Sequence, residues 1–400
     1  MCLLTIPFYL FSQIFYTPPP LVPYITDAPV ITSRAAVLID THTGALLYSK
    51  NPNEEIPPAS LAKLMTMHIA MQAVKEGRAS YDDLVTITVD SWAQSQPPRS
   101  SLMFLEPGQR VTLREIMLGL AISSGNDAAV AAALHFAPNM NSFAGLMNTE
   151  ARRMGLRVTR FTESSGICEL NKTTAAEFAL FSRHYIRLHP DSLSDFHTVP
   201  SFSYPLAENV TARNRNRFRT FTQNNPNTLI RTFPGVDGLK TGYITESGHS
   251  IALTAERNDT RFVLVVLGAP AIRGGSWIRN EDSARLLNWA FNNFKTVRPV
   301  IGQVLNARLW KGKGSKVELM LTQSADFTSP ADRADFLYYD IVLLQPLIAP
   351  LPAGYNAGYL SIRDEQGELS RTPLVTKTAY ESGSLLKRIW HSFLLLFSRR

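Results

Sequence analysis

Apolar residues in this chain fall into two kinds of run, and the two kinds occupy different regions. From Ala35 the sequence AAVLIDTHTGALLYS sets two apolar runs around a Thr-Gly turn, which predicts an antiparallel hairpin. Pro58-Ala59-Ser60 then leads into LAKLMTMHIAMQAV, where apolar residues fall on almost every side. That pattern predicts a helix buried within a domain, with Ser60 at its start. A further helical run from Leu113 to Ile122 stops at Ser123-Ser124-Gly125-Asn126-Asp127 and is followed by the alanine-rich AAVAAALHF, so the polar pentad reads as a tight link between two helices. Later, GVDGLKTGY, SIALTAER and RFVLVVLGA, the last two joined by a short turn at Asn258-Asp259, predict adjacent antiparallel strands. Arg279 to Phe294 predicts an amphipathic helix with Leu286, Leu287, Trp289 and Ala290 among its apolar positions.

After about Arg298 the texture changes to short strand-like runs, KVELMLT, DFLYYDIVLL and GYLSIRDEQGELSR, broken by Gly and Pro, which predicts a separate all-β module. Helical periodicity returns only at the end. At 100° per residue, Leu385, Leu386, Ile389, Trp390, Phe393, Leu394, Leu396 and Phe397 gather on one half of a wheel. Lys387, Arg388, His391, Ser392, Ser398 and Arg399 take the other half, and Leu395 alone is misplaced. The expected organisation is a leader and linker at 1–29, a first domain at 30–297, a β-rich domain at 298–378 and an amphipathic helix at 379–400.

Composition changes this picture in three places. Lys and Arg (40) outnumber Asp and Glu (33), for a net charge of +7, but Lys387, Arg388, Arg399 and Arg400 cluster at the end of the chain with no acid among them. That placement suits a membrane surface rather than nucleic acid. The run of Arg213, Arg215, Arg217 and Arg219 alternates with polar residues and reads as a solvated segment. Cys2 and Cys168 are the only cysteines, so no disulfide framework and no zinc pattern is expected, and Cys168 reads as an inert buried thiol. Finally, Cys2 to Tyr16 is apolar but shorter than the roughly 20 residues a spanning helix needs. It resembles the apolar part of a secretory signal without the basic start or an A-x-A cleavage site, and it implies export.

Three short motifs carry the candidate chemistry. In Ser60-Leu61-Ala62-Lys63 the hydroxyl and the amine share a helix face, and Lys63 sits in the first turn of a helix that is apolar nearly all round. A desolvated amine near other cations has a lowered pKa and can activate a hydroxyl nucleophile. Taken alone, the same residues could be a helix cap and a surface lysine. Ser124-Gly125-Asn126 could be a plain helix-linking turn, and Lys240-Thr241-Gly242 a solvated strand edge. Together, in this order and each in its own setting of helix start, inter-helix link and strand, they form the set carried by serine β-lactamases and penicillin-binding proteins.

With its longer blocks ITSRAAVLIDTHTGALLYSKNPNEEIPPASLAKLMT, LGLAISSGNDAAVA, NPNTLI and VDGLKTGY, the sequence resembles the D-alanyl-D-alanine carboxypeptidase family of low-molecular-mass penicillin-binding proteins over about residues 30 to 295. The resemblance implies an α/β fold of the β-lactamase/D,D-peptidase type, an antiparallel sheet flanked by helices, followed by a small all-β domain and a C-terminal amphipathic helix. It implies a serine carboxypeptidase that removes the terminal D-alanine of peptidoglycan stem peptides through an acyl-enzyme on Ser60 and is inhibited by β-lactams. Lys63 would be the base, Ser124 the proton relay, and Asn126 a holder of the substrate amide carbonyl that also orients Lys63. Lys240 would supply positive potential, Thr241 and Arg279 would bind the terminal carboxylate, and the backbone N–H groups of Ser60 and Tyr243 would form the oxyanion hole. Gly242 would let a peptide lie along the strand as an antiparallel neighbour. No cofactor and no metal are implied, and the partners are stem peptides ending in D-Ala-D-Ala, β-lactams and a membrane surface, with no nucleic acid. The expected location is outside the cytoplasm, in the periplasm or at the outer face of the cytoplasmic membrane, peripherally attached.

The chain departs from the family pattern at FTESSGICELNKTT, where Asn-Pro-His-Gly is usual, and at Tyr243, where His is usual. Rival readings are a β-lactamase, a D,D-endopeptidase and a non-catalytic binding protein. The first is disfavoured because Ile167, not an acid, lies four residues before Asn171. A Ser-His-Asp triad has no G-x-S-x-G elbow to carry it, so the histidines read as structural or solvated.

Overall fold

A computed structural model of the chain describes residues 27–210, 216–299 and 305–397, except 335, 345 and 366. The apolar leader, Cys2, Arg213, Arg215, Ser398, Arg399 and Arg400 lie outside the described residues. The described chain divides at Ala290/Phe291 into two compact units.

In the first unit, β1 (Ala35–Asp40) is buried along its whole length. Such an apolar run needs cover on both faces. It pairs antiparallel with β2 (Leu46–Lys50), forming the expected hairpin. After a 3₁₀ turn at Ala59–Ala62 comes helix α1 (Lys63–Lys75), which has no exposed face until its last turns. A short ladder of β3 (Leu84–Val85) and β4 (Val111–Thr112) precedes α2 (Leu113–Leu118), which starts at a Thr112/Glu115 capping box. A π turn at Gly119–Ser123 and the pair Ser124-Gly125 link α2 to α3 (Asn126–Phe136), so the predicted polar link is shorter than the pentad. Helices α4 (Met140–Arg153) and α5 (Ala175–Leu188), the ladder of β5 (Ser201–Tyr204) with β6 (Phe221–Asn224), and the short α6 (Leu229–Thr232) follow.

Three long strands, β7 (Val236–Ile244), β8 (Gly248–Arg257) and β9 (Thr260–Ala269), complete an antiparallel sheet in the order β2-β1-β9-β8-β7. Ala35, Val37 and Ile39 join one core with α1 to α5, together with Val263, Val265 and Leu267. The alternate residues Ala36 and Leu38 are buried on the opposite face, where Trp289 meets Tyr48, the partner of Leu38, edge-on at 6.2 Å. Trp289 belongs to α7, which spans Gly275–Asn293 and so begins one turn before the expected start at Arg279. Gly274, at φ +86°, makes the turn into it, and the Gly-Gly-Ser sequence there looks like loop on propensity alone.

In the second unit, β10 (Phe294–Val297) pairs with β13 (Phe327–Pro330), which draws residues assigned to the first domain into the second and moves the boundary from 297/298. A six-stranded sheet is built from β11 (Leu305–Trp310), β12 (Lys316–Leu321), β14 (Tyr338–Leu343), β15 (Leu347–Ile348), β16 (Asn356–Asp364) and β17 (Gly367–Thr376), ordered β14-β16-β17-β12-β11-β15. Leu309, Val317, Leu319 and Leu347 form the centre of its core. Helix α8 (Leu385–Phe397) ends the described chain.

Candidate active site

The turn that presents Ser60 is set by Ala59, a non-glycine residue at φ +50°, a conformation that costs on the order of 1–3 kcal/mol and is held only by its surroundings. Lys63, one helical step on, is fully buried. Its Nζ lies 2.9 Å from Ser60 Oγ and 2.8 Å from both Asn126 Oδ1 and the Ser165 carbonyl. Burial lowers its pKa to about 7, against the opposing pull of Glu163 and Asp127. Near neutral pH such an amine exists in both forms, which is what a base for a serine hydroxyl requires.

Ser124 sits at φ +54° between the π turn and α3. Asp127 holds the segment in front of it, accepting from the backbone N–H groups of Met103 and Leu105 at 2.8 and 3.0 Å. Asn126 is fixed at both ends of its amide, by Lys63 and by Ser100 Oγ, to which its Nδ2 donates at 3.1 Å. Across from it, Lys240 on β7 is 1% exposed and donates to Ser124 Oγ at 2.9 Å. Burial pushes its pKa well down, and Lys63 and Arg279 push it further. The three motifs therefore converge as the sequence reading expects.

Strand β7 lies at the edge of its sheet, so among the described residues one side of its backbone has no strand partner. An extended peptide can add there. Gly242 has a further reason beside the one inferred from sequence. A Cβ on it would lie 3.0 Å from the Pro58 carbonyl and 3.1 Å from Ser60 N, so the missing side chain lets β7 close on the turn of the nucleophile. This brings the strand carrying Tyr243 up to the backbone of Ser60. Tyr243 itself is half exposed and stacks on His249 at 4.3 Å between ring centres.

Arg279 is buried on α7, and burial lowers its pKa to about 10. Its Nε and Nη2 donate to Asn280 Oδ1, leaving Nη1 without a partner among the described residues. Because it depresses the pKa of both Lys240 and His249, its charge acts on the same region as the Lys-Thr-Gly strand. Part of its donor fork is thus already engaged.

Ser100 and Asp127 were not singled out from sequence, and the loop 161–172 stood out only as a departure from the family pattern. Ser100 Oγ accepts from Asn126, the Ser165 carbonyl of the loop holds Lys63, and Asp127 holds the backbone at Met103 and Leu105, contacts that leave no spacing signature. Asp127 had the one available signal, its place directly after the Ser-Gly-Asn motif. Cys168, read as buried, is partly exposed in that loop. Asn171 works inside the same loop, accepting from Thr162 N at 2.7 Å, while Glu169 is exposed. His68, His189 and His197 are buried and bonded to protein groups, as their structural reading expects. Arg217 and Arg219 are exposed. Among the described residues no group of three or more His, Cys, Asp or Glu side chains could hold a metal ion.

Residues 23–271 match the peptidase family S11, D-alanyl-D-alanine carboxypeptidase, and residues 295–382 match the C-terminal domain of penicillin-binding protein 5. The chain is 32% identical over 377 residues to D-alanyl-D-alanine carboxypeptidase DacC of Escherichia coli, covering 93% of this chain and 90% of the relative. It is 30% identical over 350 residues to the carboxypeptidase DacF of Bacillus subtilis, covering 86% and 85%. The crystal structure of penicillin binding protein 5 from Haemophilus influenzae is similar with a TM-score of 0.79 at 27% identity, covering 90% of this chain and 100% of that one.

Proposed function

The chain belongs to the D-alanyl-D-alanine carboxypeptidase family, and from that premise we propose how its two buried lysine–serine pairs divide the reaction. It is a serine-type carboxypeptidase that acts on peptidoglycan peptides ending in D-Ala-D-Ala and binds β-lactams. The contact between Lys63 Nζ and Ser60 Oγ carries the proposal. Lys63 in its neutral form takes the Ser60 proton as Oγ bonds to the carbonyl carbon of the penultimate D-alanine. The resulting oxyanion is met by the backbone N–H groups of Ser60 and Tyr243. As the C–N bond breaks, the proton taken up by Lys63 passes through Ser124, whose hydroxyl is held by Lys240, to the leaving amine of the terminal D-alanine, which returns Lys63 to its neutral form. Water then attacks the ester on Ser60 while neutral Lys63 takes its proton and returns it to Ser60 Oγ as the ester C–O bond breaks, which frees the shortened peptide.

Substrate positioning falls to the remaining motif residues. Asn126, already fixed toward Lys63, has a second amide hydrogen for the substrate carbonyl. Thr241 and the unused Nη1 of Arg279 bind the terminal carboxylate, while Lys240 supports it with positive charge. The edge of β7 aligns the peptide. The first unit, up to Ala290, is thus the working part, because it holds all the motif residues. Turnover of a pentapeptide, of a cross-linked dimer and of a penicillin tests the reading. Release of D-alanine from the pentapeptide well above the other two activities supports a carboxypeptidase, and faster cleavage of the dimer would instead make it an endopeptidase.

The same account places the enzyme outside the cytoplasm, where its substrate is, held at the membrane surface by α8. No helix among the described residues is long and apolar enough to cross a membrane. Lys387 and His391, on the polar half of α8, bond to the turn between β11 and β12, through the carbonyls of Lys313 and Gly314 and the N–H of Lys311. Leu386, Ile389, Trp390, Phe393 and Phe397 remain exposed on the other half. A helix docked by its polar side, with an aromatic apolar side outward, suits in-plane binding to lipid.

A further inference from the structure

We propose that Glu163 is a positioning residue for acylation: its carboxylate clamps the Ser165-Gly166 turn against the segment of the nucleophile and provides the negative charge that Lys63 faces from that side. The proposal rests on Lys63 being the base. Within the loop 161–172 this one side chain accepts from Ser165 N, Ser165 Oγ, Gly166 N and Asn171 Nδ2 at 2.5, 2.6, 2.7 and 2.7 Å. Four short donors converging on a half-buried carboxylate fix both of its oxygens.

What the clamp holds is the contact surface of the reacting pair. The Ser165 carbonyl is one of three groups that hold Lys63 Nζ. Gly166, at φ +83°, lies so close to Ala59 that a Cβ would fall 1.8 Å from the Ala59 carbonyl oxygen. Ala59 directly precedes Ser60 and is itself in the left-handed region, at φ +50°. Next along, the Ser164 carbonyl accepts from Thr66 on α1 at 2.7 Å and Ser164 Oγ donates to Ala129 on α3 at 2.8 Å. The loop is thus pinned to α1, α3 and the turn before Ser60, and Glu163 ties its two ends together.

Charge gives the second half of the argument. Lys63 faces Glu163 from the loop, Asp127 from α3 and Lys240 from β7, with Arg279 on α7 acting on Lys240. Asp127 also sits on backbone donors of its own, Met103, Leu105 and Ala128. Glu163 is the larger of the two acidic influences that keep the pKa of Lys63 from falling further. Removing its charge disfavours the ammonium form, so Lys63 loses its proton at lower pH.

The test is the second-order rate of penicillin acylation against pH, measured on the full chain for wild type, Glu163→Gln and Glu163→Asp, with thermal unfolding as a check on folding. Glutamine keeps the shape and one acceptor oxygen but not the charge. The expected result is an acidic limb near neutral pH in wild type, moved to lower pH in Glu163→Gln together with a reduced plateau. Glu163→Asp should keep the wild-type limb, with any loss confined to the plateau. A limb in Glu163→Gln that coincides with wild type, or one displaced equally in Glu163→Asp, overturns the charge role of Glu163 while leaving Lys63 as base. Absence of the limb in wild type itself overturns both.

Discussion

Lys240 Nζ donates to Ser124 Oγ at 2.9 Å, the same separation that joins Lys63 to Ser60, so the site contains two amine–hydroxyl pairs with buried amines, and the charge of Lys63 adds to the burial that depresses Lys240. Burial is the larger cause for both lysines. Two ammonium groups in one dry pocket are costly, and the pair sheds a proton more readily than either would alone. On the proposed mechanism the first pair accepts the proton of the nucleophile and the hydroxyl of the second relays it to the leaving amine.

Lys63→Arg should slow acylation by about 10² to 10⁴, the usual loss when a general base is removed, because the guanidinium keeps charge but does not deprotonate. In wild type the rate should rise with pH through about 7, since the neutral amine is the active form and its pKa is lowered to that value. Acylation of the Arg variant within a few-fold of wild type would remove Lys63 from the base role.

Gly242→Ala is expected to slow acylation about tenfold for each ~1.4 kcal/mol of misfit it forces between β7 and the turn carrying Ser60. The added Cβ would crowd the Pro58 carbonyl and Ser60 N. Stopped-flow acylation by a chromogenic β-lactam measures the effect. An unchanged rate would mean that the two segments separate freely.

Amidating the C-terminus of a peptide substrate should sharply reduce turnover by wild type and much less by Arg279→Ala, because Nη1 then has no carboxylate to meet. Comparing kcat/KM for both substrates with both proteins is the check. Equal losses would remove Arg279 from carboxylate binding.

A chain ending at Glu381 should stay in the supernatant with anionic vesicles while retaining penicillin binding, whereas the full chain should pellet in a salt-sensitive way. Co-sedimentation unaffected by the truncation would reject α8 as the attachment.

Much of this architecture is legible in the sequence, and the limits have physical causes. The strands at Ala35 and Arg261 and the helix after Ser60 announce themselves because each is covered on all sides, and an apolar run admits few alternatives. The three motifs are legible because side chains do their work. Residues that act through backbone atoms are not: the Ser165 carbonyl on Lys63 and the approach of Gly166 to Ala59 depend on tertiary contact alone. Helix α7 starts early because Gly274 can form the turn and Gly275 is buried against the Pro270 carbonyl and His249, a close approach that overrides its poor helix propensity. The approach of Gly242 to Pro58 and Ser60 was not legible, since sequence shows that a side chain is missing but not which neighbour needs the space.

Intact mass of the protein after incubation with penicillin, for wild type and Ser60→Ala side by side, tests the acyl-enzyme most directly. Wild type should gain the mass of one penicillin, and the adduct should map to the peptide containing Ser60. Ser60→Ala, folded by thermal unfolding, should gain none. An adduct of the same mass on Ser60→Ala would contradict the account, because another residue would then be the nucleophile.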